Sequence, residues 1–319
     1  MHRKPPSMET FDIITLIGAI LSTVFCIGTV TTYSSFGELR NISGLCLINV
    51  SLALLTLAFI FIATYFLVIS GTSCVTVAIL KQICWLASFS WMSLQAVHMV
   101  RTFVLTNWQR PLGHPQNRQQ WIKISMAHAL MGWGLPMIYS AVLLYFHLCR
   151  DCLPGGVEFR LGKDSNSTIK YCWPGSTYLG NHLTIDPMLV LLAFNIVALL
   201  IVMIAIIKKR MMTRKVAGRD LKKEIAVNLL ILAKLSISLG ATWLPVLLHR
   251  FLHHLVLMQI HVLLNSWLGV IIFMLFSTSQ RIRRLWKGRL RGLCLTKAET
   301  SDLYRLRESS GSGRNDMTA

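Results

Sequence analysis

Acidic residues are few, and none lies where membrane chemistry would use it. Thirteen Asp and Glu stand against 32 Lys and Arg, and all thirteen fall outside the cores of the long apolar runs; Asp186 and Glu224 come nearest, at run ends. Proton pumps and ion-coupled transporters place carboxylate relays mid-membrane, so a small-molecule or ion transporter is a weak alternative for this chain. The last apolar run holds no Lys, which leaves a retinal Schiff base no attachment point there. Charge of any kind is scarce at 14% of residues, against roughly 25% in a soluble domain. The eight Cys show no zinc-type spacing with His, and four of them sit inside apolar runs, so neither a metal framework nor a disulfide-dense scaffold is indicated. No cofactor, metal or catalytic constellation is expected, and the chain does not read as an enzyme.

What the chain has in excess is apolar sequence, 54% of the total. It falls into seven runs, near residues 13–33, 45–69, 74–100, 122–147, 187–207, 225–248 and 255–278. Each approaches or exceeds the ~20 residues a membrane-spanning helix needs. The first run is longer than the h-region of a removable signal peptide, so it reads as a span. The run from Cys74 to Arg101 lacks Gly and Pro and carries a thin scatter of polar groups, Lys81, Gln82, Gln95 and His98. It reads as the central helix of the bundle. Lys81, about 10 Å below Cys74 along such a helix, either lines an outward pocket or snorkels to the headgroups.

The net charge of +19 is concentrated between the runs, which favours lipid headgroups over nucleic acid. Eight basic residues lie between 208 and 223 and ten more follow 280, whereas the intervening loops carry few. By the positive-inside rule that richer side is cytoplasmic, with the N-terminus outside and the C-terminus inside. Of three N-glycosylation sequons, only Asn166 then lies in an outer loop; those at Asn41 and Asn49 fall in a cytoplasmic loop and inside the second run. His249, His253, His254 and His261 read as exposed loop histidines. Past Thr278, Ile282, Leu285, Trp286, Leu290 and Leu293 recur at helical spacing amid Arg and Lys. That pattern predicts a basic amphipathic helix on the membrane surface, closed by Cys294 as a palmitoylation candidate.

The expected fold is thus an all-α membrane protein, a seven-helix bundle with a juxtamembrane helix. Its parts are an outer N-terminus over 1–12, the helix domain over 13–278, the surface helix over 279–295 and a disordered tail over 296–319.

Several motifs follow one another along the chain: Cys74, then Trp91 and Met92 in FSWM, Gly132-Trp133-Gly134, Cys172-Trp173, Leu239-Gly240-Ala241-Thr242-Trp243, and Asn265-Ser266-Trp267. In this order they resemble the seven-helix domain of adhesion G-protein-coupled receptors, relatives of the secretin-type receptors. The chain departs from that pattern in having Gln95, Val100 and Leu268 where the family often has Glu, Tyr and Gln. The resemblance implies a plasma-membrane, multi-pass receptor for an extracellular ligand or peptide, coupled to a heterotrimeric G protein. It also implies a Cys74–Cys172 disulfide across the bundle mouth, while Cys149 and Cys152 either pair or stay free. Trp91, Met92, Trp173, Trp243, Asn265 and Lys81 would line the agonist cavity, and Gly240 and Pro245 would bracket a hinge in helix six. Arg101, Arg214, Lys215, Lys222 and Lys223 would face the G protein. Such receptors carry a large extracellular domain with a tethered hydrophobic agonist, whereas only Met1–Phe11 precedes the first run here. The expectation is therefore agonism from outside this chain, or a non-signalling receptor product.

Overall fold

A computed structural model describes residues 6–67, 71–105, 118–149, 161, 172, 178–217 and 240–291. The described residues contain helices and no strands. Residues Met1–Met274 form one compact unit and Leu275–Ala319 a second. In the first, α1 (Pro6–Ser35), α2 (Ile42–Phe66) and α3 (Gly71–Val100) are followed by α4 (Arg118–Ala129), which runs through a π turn at Leu130–Gly134 into α5 (Leu135–Leu148). Then come α6 (Tyr178–Ala217), α7 (Leu244–Leu252), α8 (Leu255–Ser266) and α9 (Leu268–Ile272). In the second unit a helix, α10, covers 280–291.

Among the described residues, five helices are long and apolar enough to cross a membrane: Thr10–Ser35, Ile42–Phe66, Gly71–Val100, Gln119–Leu148 and His182–Lys208. The pair Leu255–Ser266 and Leu268–Ser277, bent by 54°, makes six if it is counted as one span. Most of the expected run at 225–248 lies outside the described residues. The fifth helix is longer than its apolar run, reaching 40 residues with Pro187 inside it.

Polarity is arranged as lipid demands. On α1, Ile13, Ile17, Val24 and Ile27 are exposed, while Thr15, Ser22, Thr29 and Thr32 are buried. Hydrocarbon offers no hydrogen-bond partner, so three of these hydroxyls donate to their own helix: Thr15 to Phe11 O, Thr29 to Phe25 O and Thr32 to Gly28 O. The helix seams use small residues and side-chain hydrogen bonds in the same way. A Cβ on Gly269 would stand 2.6 Å from Cys26 Sγ and 2.7 Å from Ser22 O, so only glycine lets α9 approach α1 this closely. Asn41, the residue of one sequon, caps α2 by accepting from the Gly44 amide at 2.8 Å. Asn49, from the other, accepts from Trp133 Nε1 at 2.9 Å and ties the π turn to α2.

α3 is the most enclosed of the five spanning helices, and it packs on α2, α5, α6 and the π turn. Its central place agrees with the reading from sequence.

Candidate functional site

Helical spacing along α3 puts Gln82, Trp85, Phe89 and Met92 on one stripe. The stripe faces the turn that begins at Gly240. Gly240 adopts φ +89, a left-handed conformation that glycine alone takes freely. A single 3₁₀ turn, Ala241–Trp243, follows, and α7 starts at Leu244 with Pro245 in its first positions. Gly240 and Pro245, the two residues expected to bracket a hinge, thus stand in a tight turn and at a helix start. No mid-helix carbonyl is freed by the proline, because Pro at a helix start takes the place of an N–H that has no intrahelical partner.

The turn delivers Trp243 against α3. Its ring lies 4.9 Å from Phe89 and 6.1 Å from Trp85, both edge-to-face, and 4.5 Å from His261. Edge-to-face pairs set a ring's positive rim on its neighbour's negative face and add about 0.5–1.5 kcal/mol beyond area burial. On the far side, Asn265 Nδ2 donates to His261 Nδ1 at 2.9 Å and to the His261 carbonyl at 2.9 Å. The Thr242 carbonyl lies 3.4 Å from the same imidazole nitrogen. Met92 closes the inner side, with Sδ 3.4 Å from where a Cβ on Gly240 would stand.

Toward the expected outer end, Cys74 and Cys172 form a disulfide, closing a separation of 98 residues. Lys81 Nζ donates to the Cys172 carbonyl at 3.2 Å. Lys81 thus adds a second hold on the disulfide-bonded Cys172. A second anchor lies at Leu161, which is buried against Leu143; the Leu161 amide donates to His147 Nδ1 at 3.1 Å. Cys149 is disulfide-bonded as well, with its other half outside the described residues.

Trp91, expected to line the agonist cavity along with Trp243, packs into a helix seam. It is 1% exposed and lies across α3 from Phe89, its indole filling the space that a Cβ on Gly132 would need. Two residues of helical spacing separate Trp91 from Phe89, about 200° around the axis, so the two rings cannot share a face. His261 is not an exposed loop residue. α8 begins at Leu255, which carries position 261 nearly two turns inside. Trp85, Phe89 and His261 are the site residues the sequence reading passed over. The spacing 82, 85, 89, 92 along α3 was the signal for the first two.

Arg101 is exposed at the end of α3, where the π turn Arg101–Leu105 begins. Arg214 and Lys215 belong to the last turns of α6. Trp173, Asn166, Lys222, Lys223 and Cys294 lie outside the described residues.

The family described as 7 transmembrane receptor (Secretin family) matches residues 8–272. The chain is similar to Adhesion G-protein coupled receptor G6 of Danio rerio, 27% identical over 293 residues, covering 91% of this chain and 23% of the relative. It is also similar to Adhesion G-protein coupled receptor G2 of Mus musculus, 27% identical over 307 residues, with 93% and 28% covered. Probable G-protein coupled receptor Mth-like 12 of Drosophila melanogaster is 24% identical over 282 residues, with 85% and 53% covered. The chain thus spans about a quarter of the length of the two adhesion receptors and about half that of the insect protein.

Proposed function

The chain belongs to the secretin family of seven-transmembrane receptors, and on that premise we propose that it is a plasma-membrane receptor passing an extracellular signal to a heterotrimeric G protein. The family is a receptor class and not an enzyme class, and the chain is a multi-pass membrane protein. The N-terminus and the Cys74–Cys172 disulfide are outside; the ends of α3 and α6 are inside, with Arg101, Arg214, Lys215, Lys222 and Lys223 rimming the G-protein cleft. In this reading α10 lies on the inner leaflet, with Cys294 beside it as the acylation point, and Asn166 carries the glycan.

The observation that carries the reading is the Trp243 cluster. A residue delivered by a glycine turn and held by rings from α3 and α8 can be moved without unfolding a helix. An agonist that binds the moved arrangement more tightly shifts the population toward it, because a ligand changes a two-state equilibrium by its differential affinity. The segment bearing Trp243 then swings from α3 and opens the cytoplasmic side, as in hinge-type switching. Met92, Asn265 and the outer-loop Trp173 complete the agonist site.

The test is G-protein dissociation, followed by resonance energy transfer in cells expressing the chain with a surface epitope tag. A panel of short hydrophobic peptides is applied. Basal or peptide-driven signal above untransfected cells is expected, and Trp243→Ala lowers it severalfold at unchanged surface level. Signal equal to untransfected cells under every peptide sinks the coupling claim.

A further inference from the structure

Two histidines stand one turn apart where α7 ends. His249 and His253 are four residues apart, the spacing by which paired histidines on one helix face take zinc. The turn between them is closed, with the His253 amide donating to the His249 carbonyl at 2.9 Å. Their rings lie 6.4 Å apart, edge to face. His253 is exposed and His249 half-buried. Exposed Leu248 and Leu252 each precede one of the histidines, so the apolar pair and the histidine pair point about 100° apart around the helix.

The His249 ring is also oriented. Its Nδ1 lies 2.9 Å from the His254 carbonyl. A carbonyl only accepts, so Nδ1 carries the proton and Nε2 of the neutral ring keeps its lone pair. Metal-binding histidines are held in this way, one ring N–H given to a carbonyl and the other nitrogen left for the ion. His253 takes the left-handed conformation, φ 51, and that sharp turn returns the His254 carbonyl to α7.

We propose that His249 and His253 chelate a divalent transition-metal ion, Zn²⁺, at the hairpin between α7 and α8. Imidazole favours zinc, copper and nickel over magnesium and calcium. The C-terminal end of a helix carries partial negative charge and attracts a cation. Zinc lies about 2.0–2.1 Å from each ligating nitrogen, which sets two imidazoles about 5 Å apart in tetrahedral geometry. A turn of the exposed His253 about its side-chain bonds closes the difference. Among the described residues no cluster of three or more His, Cys, Asp or Glu is placed to hold a metal, so water fills the remaining positions. Two protein ligands make a reversible site of modest affinity rather than a structural one. In the orientation given above this hairpin faces the outside, and the ion braces the helix that begins at the Trp243 turn.

The test uses the purified full chain in phosphatidylcholine nanodiscs, isolated through an affinity tag that contains no histidine. Nanodiscs expose both faces, so the result depends neither on topology nor on G-protein coupling. The probe is Zn²⁺ alone, followed by calorimetry and by the unfolding temperature. One ion per chain is expected to bind and to raise that temperature, as a ligand of the folded state does. His253→Gln is expected to weaken binding about tenfold or more and to remove the rise. The His253 side chain is exposed, so this variant should unfold without metal at the native temperature. His249→Gln should weaken binding as much, and the double variant little further, because a lone imidazole no longer chelates. Undiminished binding in His253→Gln overturns the proposal, as does no saturable binding below about 1 mM or equal competition by Mg²⁺ or Ca²⁺. Loss of the ion in His182→Ala instead places it at the His182–Asp186 pair and overturns the proposal as well.

Discussion

Ser22 of α1 reaches into the bend between α8 and α9 and bridges it to Gly269. Its Oγ accepts from the Gly269 amide at 2.9 Å and donates to the Ser266 carbonyl at 2.7 Å. A 54° bend at Trp267 frees backbone groups that a straight helix would pair. In hydrocarbon those groups need a partner from a neighbouring helix, and one hydroxyl serves two of them.

Ser22→Ala removes both bonds and leaves the Gly269 N–H and Ser266 C=O buried. The expected loss is about 1–3 kcal/mol of stability, read as a lower unfolding temperature of the purified chain. Ser22→Thr keeps the hydroxyl and should lose less. An unchanged unfolding temperature in Ser22→Ala would show that the bend does not depend on this contact.

Gly132→Val sets side-chain atoms where the Trp91 indole lies. Overpacking of a well-filled seam costs typically 1–3 kcal/mol, so surface expression should fall sharply. Adding Trp91→Phe makes room and should recover part of it. If the double variant is no better than Gly132→Val alone, the contact is not the cause.

Cys74→Ser and Cys172→Ser break one bond, so each should lower surface expression and the double variant should be little worse. Groups that share a partner give non-additive effects. Lys81→Met removes the second hold on Cys172 and should matter more in the Cys74→Ser background than alone. Additive losses for the two cysteines would contradict the pairing.

Asn166→Gln should abolish the endoglycosidase shift of the mature chain, because Asn166 stands in the long loop assigned to the outside. Asn41 and Asn49 should contribute nothing, since the first caps α2 and the second bonds Trp133 within the membrane span. A shift that depends on Asn41 would invert the topology.

Much of this molecule was legible along the chain, and for a simple reason. A bilayer rewards any stretch of about 20 apolar residues that pairs its own backbone, so the runs at 13–33, 45–69, 74–100 and 122–147 announced α1, α2, α3 and the α4–α5 span without knowledge of their neighbours. The enclosed character of α3 was readable too, because polar residues such as Gln82 and Gln95 are tolerated in a span only when protein surrounds them. The order of Trp and Gly motifs pointed to the receptor family that the match over residues 8–272 shows.

What only the tertiary structure decided is which side chains meet across helices. Such pairing depends on the rotation of each helix about its axis and on where helices break, and neither is set by local hydrophobicity. Trp91 and Phe89 stand two residues apart in one motif, yet one packs on Gly132 and the other on Trp243. His261 looked like a loop residue until the hairpin at His253, in the left-handed region at φ 51, placed the start of α8 ahead of it. Gln82 was a polar residue among several in the sequence. Only the packing around it shows that both ends of its carboxamide are buried and unmet, because whether a polar group finds a partner is a property of the assembled bundle.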